Sequence, residues 1–208
     1  MPQDLTSLGG KILRIDPNTG GPAAGNPRPN AANPNTRLMW NYGHRNPQGL
    51  ALRPNGQMFN VEHGSYRDDE VNRVLRDRNY GWDPIGRRRR LRRVGADDRP
   101  AEVPRTPDPP RGRSGPTTDA TSGATFLVGT PWKSWNGSLV VAQLQGQSLL
   151  RLTLNSRGQL TGEELIPEFS GTYGRLRTAQ LGTDGSLYLT TATTATAVDV
   201  ILKVTPTG

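Results

Sequence analysis

Three polar clusters hold the residue types from which a site could be built. GHRNPQG, residues 43–49, carries His44, Arg45, Asn46 and Gln48. EHGSYRDDE, residues 62–70, ends in the carboxylates Asp68, Asp69 and Glu70. GRLRTAQ, residues 174–180, spaces Arg175 and Arg177 two apart. A guanidinium is a planar donor fork that matches carboxylate oxygens, and an amide such as that of Asn46 or Gln48 adds a neutral donor. On an extended strand, residues i and i+2 share a face, so Arg175 and Arg177 are expected side by side, as a polycarboxylate would require. Carboxylates next to a glycine-containing turn supply the oxygen ligands that calcium takes. Each cluster taken alone also has a plainer reading. Polar side chains at a strand entry satisfy orphan backbone groups, and the acidic turn can be solvated and paired with Arg67 and Arg73.

The elements that must position these clusters read as strands. Among 208 residues only 32% are hydrophobic, while 25 are Gly and 18 are Pro, a balance that suits short strands and tight turns rather than helices. The runs GLAL, MFNV, SLVVAQL, SLLRLTL, RTAQL and SLYLTT are β-prone, and several alternate with period two. Hairpin signals recur at RPNGQ, WNGSL, NSRGQ and TDGSL, where a residue tolerant of turns precedes a glycine. Gly137 and Gly185 stand one propeller blade apart, a period of roughly 40–50 residues. EVNRVL, from Glu70, has apolar positions compatible with helix or strand, and we read it as strand.

Two stretches interrupt this pattern. Residues 16–37 and the Arg/Pro-rich residues 87–121 carry too few apolar side chains to form a core, and both are expected as exposed loops. Cysteine is absent, which excludes disulfides and thiolate metal sites. No apolar run is long enough for a transmembrane helix, and the first residues do not read as a signal peptide. The net charge of +8 permits an anionic partner without selecting one.

Taken in order, the clusters carry a family likeness. LGGKILRIDPNTG, GHRNPQGLA, EHGSYRDDEVNRV followed by NYGW, SGATFLVG, WNGSLVVAQLQGQSLLRL and RLRTAQLGTDGSLYLTT resemble the soluble quinoprotein glucose dehydrogenases, the glucose/sorbosone or aldose sugar dehydrogenases. The resemblance implies an all-β, six-bladed β-propeller, of which residues 1–208 form a single-domain C-terminal part of about three to four blades with long irregular loops. It implies oxidation of the anomeric hydroxyl of a sugar, with hydride passed to pyrroloquinoline quinone (PQQ), and a separate electron acceptor. PQQ is a flat ortho-quinone with three carboxylates. By resemblance Arg45, Asn46, Gln48, Arg175 and Arg177 contact it, with Arg45 polarising the quinone. The carbonyls of Gly64 and Ser65 hold the calcium that touches PQQ, and Glu70 with the Tyr80 carbonyl holds a second calcium. His44 and His63 become structural neighbours of the site, and the aromatic residues Trp82, Trp132, Trp135, Phe126 and Tyr188 are assigned to packing. The likeness also implies a periplasmic or secreted protein.

Some positions depart from the family pattern. Ser65 stands where proline is common, Thr178 where an aspartate follows the second arginine, and Gln145 where a lysine reaches PQQ. The histidine base of the family has no match here, so we expect a truncated chain without its catalytic base. The alternative is a non-catalytic propeller fragment that binds sugar or, through RRRRLRR, an anionic partner. No aromatic residue interleaves with those arginines, so nucleic-acid binding is not expected. The sugar and the oligomeric state are not legible.

Overall fold

The computed structural model describes residues 2–65, 69–82, 118–192 and 198–206. Most of the Arg/Pro-rich stretch, including RRRRLRR, lies outside them. The chain divides into two compact units, Met1–Asn46 with Val74–Glu102, and Pro47–Arg73 with Val103–Gly208.

In the first unit β1 (Lys11–Leu13) pairs antiparallel with β2 (Met39–Tyr42), Lys11 opposite Tyr42. Residues 16–37 between them are mostly exposed or half-buried, apart from Asn26 and Thr36. The buried Asn26 amide donates to the carbonyls of Arg14 and Arg37, at 2.8 Å each, and so pins the middle of the stretch. Its end forms the five-residue helix α1 (Pro34–Leu38), started by Pro34 and capped by Asn33, whose side chain accepts from the Asn35 N–H.

Among the described residues the second unit forms three antiparallel sheets. The first is β3 (Pro47–Leu52), β4 (Met58–Glu62) and β5 (Glu70–Arg73). The second is β6 (Thr121–Phe126), β7 (Leu139–Gln143), β8 (Ser148–Leu154) and β9 (Leu160–Leu165). The third is β10 (Leu176–Leu181), β11 (Leu187–Thr191) and β12 (Ile201–Val204). The EVNRVL stretch is strand only as far as Arg73.

The middle sheet is buried on both faces, which explains why all five residues of β7 are buried. Leu139 and Val141 join Phe59, Val61 and Val71 of the first sheet, while Val140 and Ala142 join Leu176, Leu187 and Leu189 of the third. One strand thus serves two cores by its period of two. Face-to-face sheets sharing a middle layer are successive propeller blades.

Within this unit β6 lies against β3 on one side and β10 on the other. The approach is close enough to require glycine. A Cβ on Gly49 would stand 2.4 Å from the Ser122 carbonyl oxygen, and one on Gly123 would stand 2.7 Å from the Thr178 Cα. The three first strands run in the same direction, because residue 49 meets 122–124, 123 meets 178–179, and the Leu181 N–H reaches the Thr125 hydroxyl.

Three of the hairpin signals form one kind of turn. At Arg53–Gln57, Asn155–Gln159 and Gly182–Ser186, the first N–H donates to the last carbonyl, and glycine in the fourth position has φ near +80°. These are three-residue hairpin loops closed by a glycine bulge. WNGSL differs. It closes the longer β6–β7 connection after the 3-10 turn Thr130–Trp135, which buries Trp132 and directs its Nε1–H to the Gly185 carbonyl at 3.0 Å.

Candidate cofactor and metal site

In the first unit, GHRN and NYGW run side by side. Tyr42 and Asn79 form a parallel bridge, the Tyr80 N–H donates to the Tyr42 carbonyl (2.9 Å), and the Trp82 N–H donates to the Gly43 carbonyl (2.8 Å). Gly43 is needed for this contact: its φ is +84°, and a Cβ would stand 2.1 Å from Asn79 Oδ1. His44 is fully buried, stacked on the Tyr80 ring at 4.3 Å, with Nε2 2.9 Å from Asn41 Oδ1. The Tyr80 hydroxyl accepts from the Leu75 N–H. These contacts make His44 part of the packing. The half-buried Arg45 lies over the Trp82 ring, 5.7 Å from its centroid, with Asn46 next along the chain.

In the second unit each of the three inner strands opens with a register shift. The shifts fall between Pro47 and Gly49, between Thr121 and Ala124, and between Leu176 and Thr178. Gln48 and Arg177 therefore sit in β-bulges, the devices that re-aim a side chain at the end of a sheet. Both are exposed. Arg175 lies just before β10, so a bulge, and not the regular pleat invoked from the spacing, relates it to Arg177. Leu176 between them is fully buried. The Arg175 side chain is half-buried, and its Nε is enclosed with no hydrogen-bond partner among the described residues.

Gly64 and Ser65 follow β4 at the end of the sheet where Pro47 opposes Glu62. Neither of their carbonyls accepts a hydrogen bond from a described residue. The Thr121 hydroxyl donates to the Glu62 carbonyl at 3.3 Å, bringing the entrance of β6 to the same end. The Ser122 hydroxyl, 2.6 Å from the Arg177 carbonyl, brings the entrance of β10 there too. Gln48, Gly64, Ser65 and Arg177 are therefore gathered at the starts of the inner strands. Glu70 opposes Glu62 across β4–β5, and the Asn72 amide donates to both carboxylates, at 2.8 and 3.4 Å. Tyr80 belongs to the first unit. No group of three or more Asp, Glu or His side chains arranged for a metal occurs among the described residues.

Trp82, assigned to packing, packs beneath Arg45 in the first unit. Reading the sequence missed one member of the arrangement in the second unit. Asp69, seen only as one of three carboxylates, accepts from the Gly64 N–H at 2.9 Å. The run of acids signalled it without indicating which acid turns inward.

Stacked antiparallel sheets with parallel inner strands, whose entrances carry arginine, amide and carbonyl groups, define a propeller-type protein with its polar groups at the strand entrances. The chain belongs to the glucose/sorbosone dehydrogenase family, whose profile matches residues 1–200. It is 28% identical to the aldose sugar dehydrogenase YliI of Escherichia coli over 98% of this chain and 53% of the relative. It is 39% identical to quinoprotein glucose dehydrogenase B of Acinetobacter calcoaceticus over 38% of this chain and 16% of the relative. The PQQ-bound aldose sugar dehydrogenase of Streptomyces coelicolor superposes with a TM-score of 0.68 and 30% identity, covering 97% of this chain and 53% of that one. The chain spans about half the length of the curated relatives it matches. No helix among the described residues is long and apolar enough to cross a membrane.

Proposed function

We propose that this chain supplies the cofactor side of a PQQ- and calcium-dependent sugar dehydrogenase. The observation that carries the reading is the enclosed, partnerless Nε of Arg175 beside the exposed, bulged Arg177. A buried charged donor without an acceptor is costly, and an anionic ligand would complete it. The carbonyls of Gly64 and Ser65 at the strand entrances, which accept no hydrogen bond from a described residue, fit a calcium ion. Family membership and the PQQ-bound relative support the same cofactor.

In this reading Arg175 and Arg177 bind carboxylates of PQQ, and Gln48 donates from the bulge of β3. Arg45 and Asn46 contact the cofactor, with Arg45 polarising the quinone. Gly64 and Ser65 hold the calcium next to the cofactor, while Glu70 and the Tyr80 carbonyl serve a second. Bound PQQ supplies the two-electron acceptor for hydride leaving the anomeric carbon of the sugar. We assign removal of the anomeric proton to the part of the relatives that lies outside the matched span, and the reduced cofactor passes its electrons to a separate acceptor. We place the protein in the periplasm or outside the cell, as the family resemblance implies.

The test is a titration of the purified chain with PQQ in the presence of calcium, followed by quinone absorbance. A saturable spectral shift, reversed by chelator and little changed by moderate salt, is expected. Absence of any shift with calcium in excess would overturn the proposal. A shift that salt abolishes and chelator leaves intact would identify a general anion site instead.

A further inference from the structure

We propose that Asp69 is the positioning residue that locks the metal side of this site to its cofactor side. The inference rests on the calcium reading given above. Asp69 Oδ1 accepts from the Gly64 N–H at 2.9 Å and from the Thr118 hydroxyl, and Oδ2 accepts from the Thr121 N–H at 3.4 Å. One carboxylate thus gathers three donors from two segments far apart in the chain. Holding the Gly64 N–H fixes the peptide plane that leads into the carbonyls of Gly64 and Ser65.

The same carboxylate secures a strained entrance to β6. Ala120 has φ +53°, a left-handed backbone that a non-glycine residue adopts only when its surroundings enforce it. The Thr118 hydroxyl does so by accepting the Ala120 N–H at 3.0 Å while donating to Asp69. The next residues are Thr121, held by Asp69 itself, and Ser122, whose hydroxyl is bonded to the Arg177 carbonyl. The line from Gly64 through Asp69, Thr121 and Ser122 to Arg177 is a continuous path of bonds. A carboxylate suits this post because it only accepts. An amide would turn an N–H against one of the three donors.

Asp69→Asn tests the role, with Thr118→Val as a milder variant that removes one donor and keeps the carboxylate. Calcium affinity is measured by calorimetric titration at 25 °C on folded protein, and amide exchange is followed at Gly64 and Thr121. Asp69→Asn is expected to raise the calcium Kd by about 10- to 100-fold, the range seen when a group orienting a metal ligand is lost. It should speed exchange at both amides and leave those of β7 and β8 at the parent rate, and Thr118→Val should move both readouts the same way by less. A parent-like Kd in Asp69→Asn, or faster exchange across all sheets without a change in Kd, would overturn the proposal. If the parent chain takes up no calcium, the proposed function falls. Exchange at Gly64 and Thr121 then decides the clamp separately, unchanged rates rejecting it and selective loss of protection supporting it.

Discussion

The hydroxyl of Ser122 donates to the carbonyl of Arg177 at 2.6 Å, joining the bulge of one inner strand to the bulge of the next. Ser122 is 1% exposed, so little water can replace this bond. Beside it Gly123 sits where a Cβ would meet the Thr178 Cα at 2.7 Å and the Ala179 N at 2.8 Å. Ser122→Ala should cost about 1 kcal/mol through the lost hydrogen bond. Gly123→Ala should cost more, because the atoms it meets are backbone and cannot rotate away. Urea unfolding followed by circular dichroism gives both values, and a Gly123→Ala variant as stable as the parent would contradict the close strand approach.

Arg175→Ala should weaken PQQ binding without lowering the unfolding midpoint of the cofactor-free chain, since its Nε makes no hydrogen bond with a described residue that would be lost. Arg175→Lys should restore only part of the affinity, because an ammonium cannot reproduce the planar fork. Absorbance titration of the cofactor measures both. Full affinity in Arg175→Ala would remove the residue from the site.

Leu139 and Val140 are adjacent and fully buried, yet they belong to different cores. Leu139→Ala should cost about 2–5 kcal/mol, as large-to-small changes in a core do, and Val140→Ala should also destabilise through the opposite face. The pair lies on two faces of one strand, so the double variant should lose close to the sum of the single losses. A large non-additive term in denaturant titrations would mean that the two cores are not separate.

A surface contact between hairpin and edge strand sets a pH dependence. The Lys203 ammonium, 2.9 Å away, together with the Ser186 N–H and the Tyr188 hydroxyl, holds the Asp184 carboxyl well below the usual carboxylate range. The same contact pushes Lys203 up. A carboxylate with a lowered folded pKa adds stability above its unfolded value near about 4 and loses it as pH falls through the folded value. A lysine with a raised folded pKa adds stability below about 10.4 and loses it as pH climbs through the folded value. The Tm difference between the parent and Asp184→Asn should therefore be widest at neutral pH and narrow towards both extremes. Both partners are exposed, so the difference should be small and should shrink in salt. A Tm difference that stays constant from acid to alkali would show that the ion pair does not carry it.

Much of the fold is legible in the residues. SLLRLTL and SLYLTT alternate and form β8 and β11, and the all-buried β7 reads as a continuous apolar run. RPNGQ, NSRGQ and TDGSL form the turns that their glycines require. Five strands did not stand out, among them the short KIL of β1 and MWNY of β2. TSGATF of β6 is small and polar because an inner strand must let its neighbours approach, and LTGEEL of β9 and ILKV of β12 are partly exposed and need no apolar run. WNGSL carries the composition of a hairpin turn, but the burial of Trp132 draws out a longer connection.

The sequence alone determined the all-β class, the positions of most strands and the residue types offered to a site, because strand periodicity, glycine turns and side-chain chemistry are local properties. Tertiary structure alone decided which of these residues meet. Asp69 and Thr121 are joined across 52 positions, and GHRN lies beside NYGW through a parallel contact between Tyr42 and Asn79. The bulges at Gln48 and Arg177 arise where inner strands leave the regular pleat. Such contacts depend on how whole sheets stack, and no spacing along one strand encodes that.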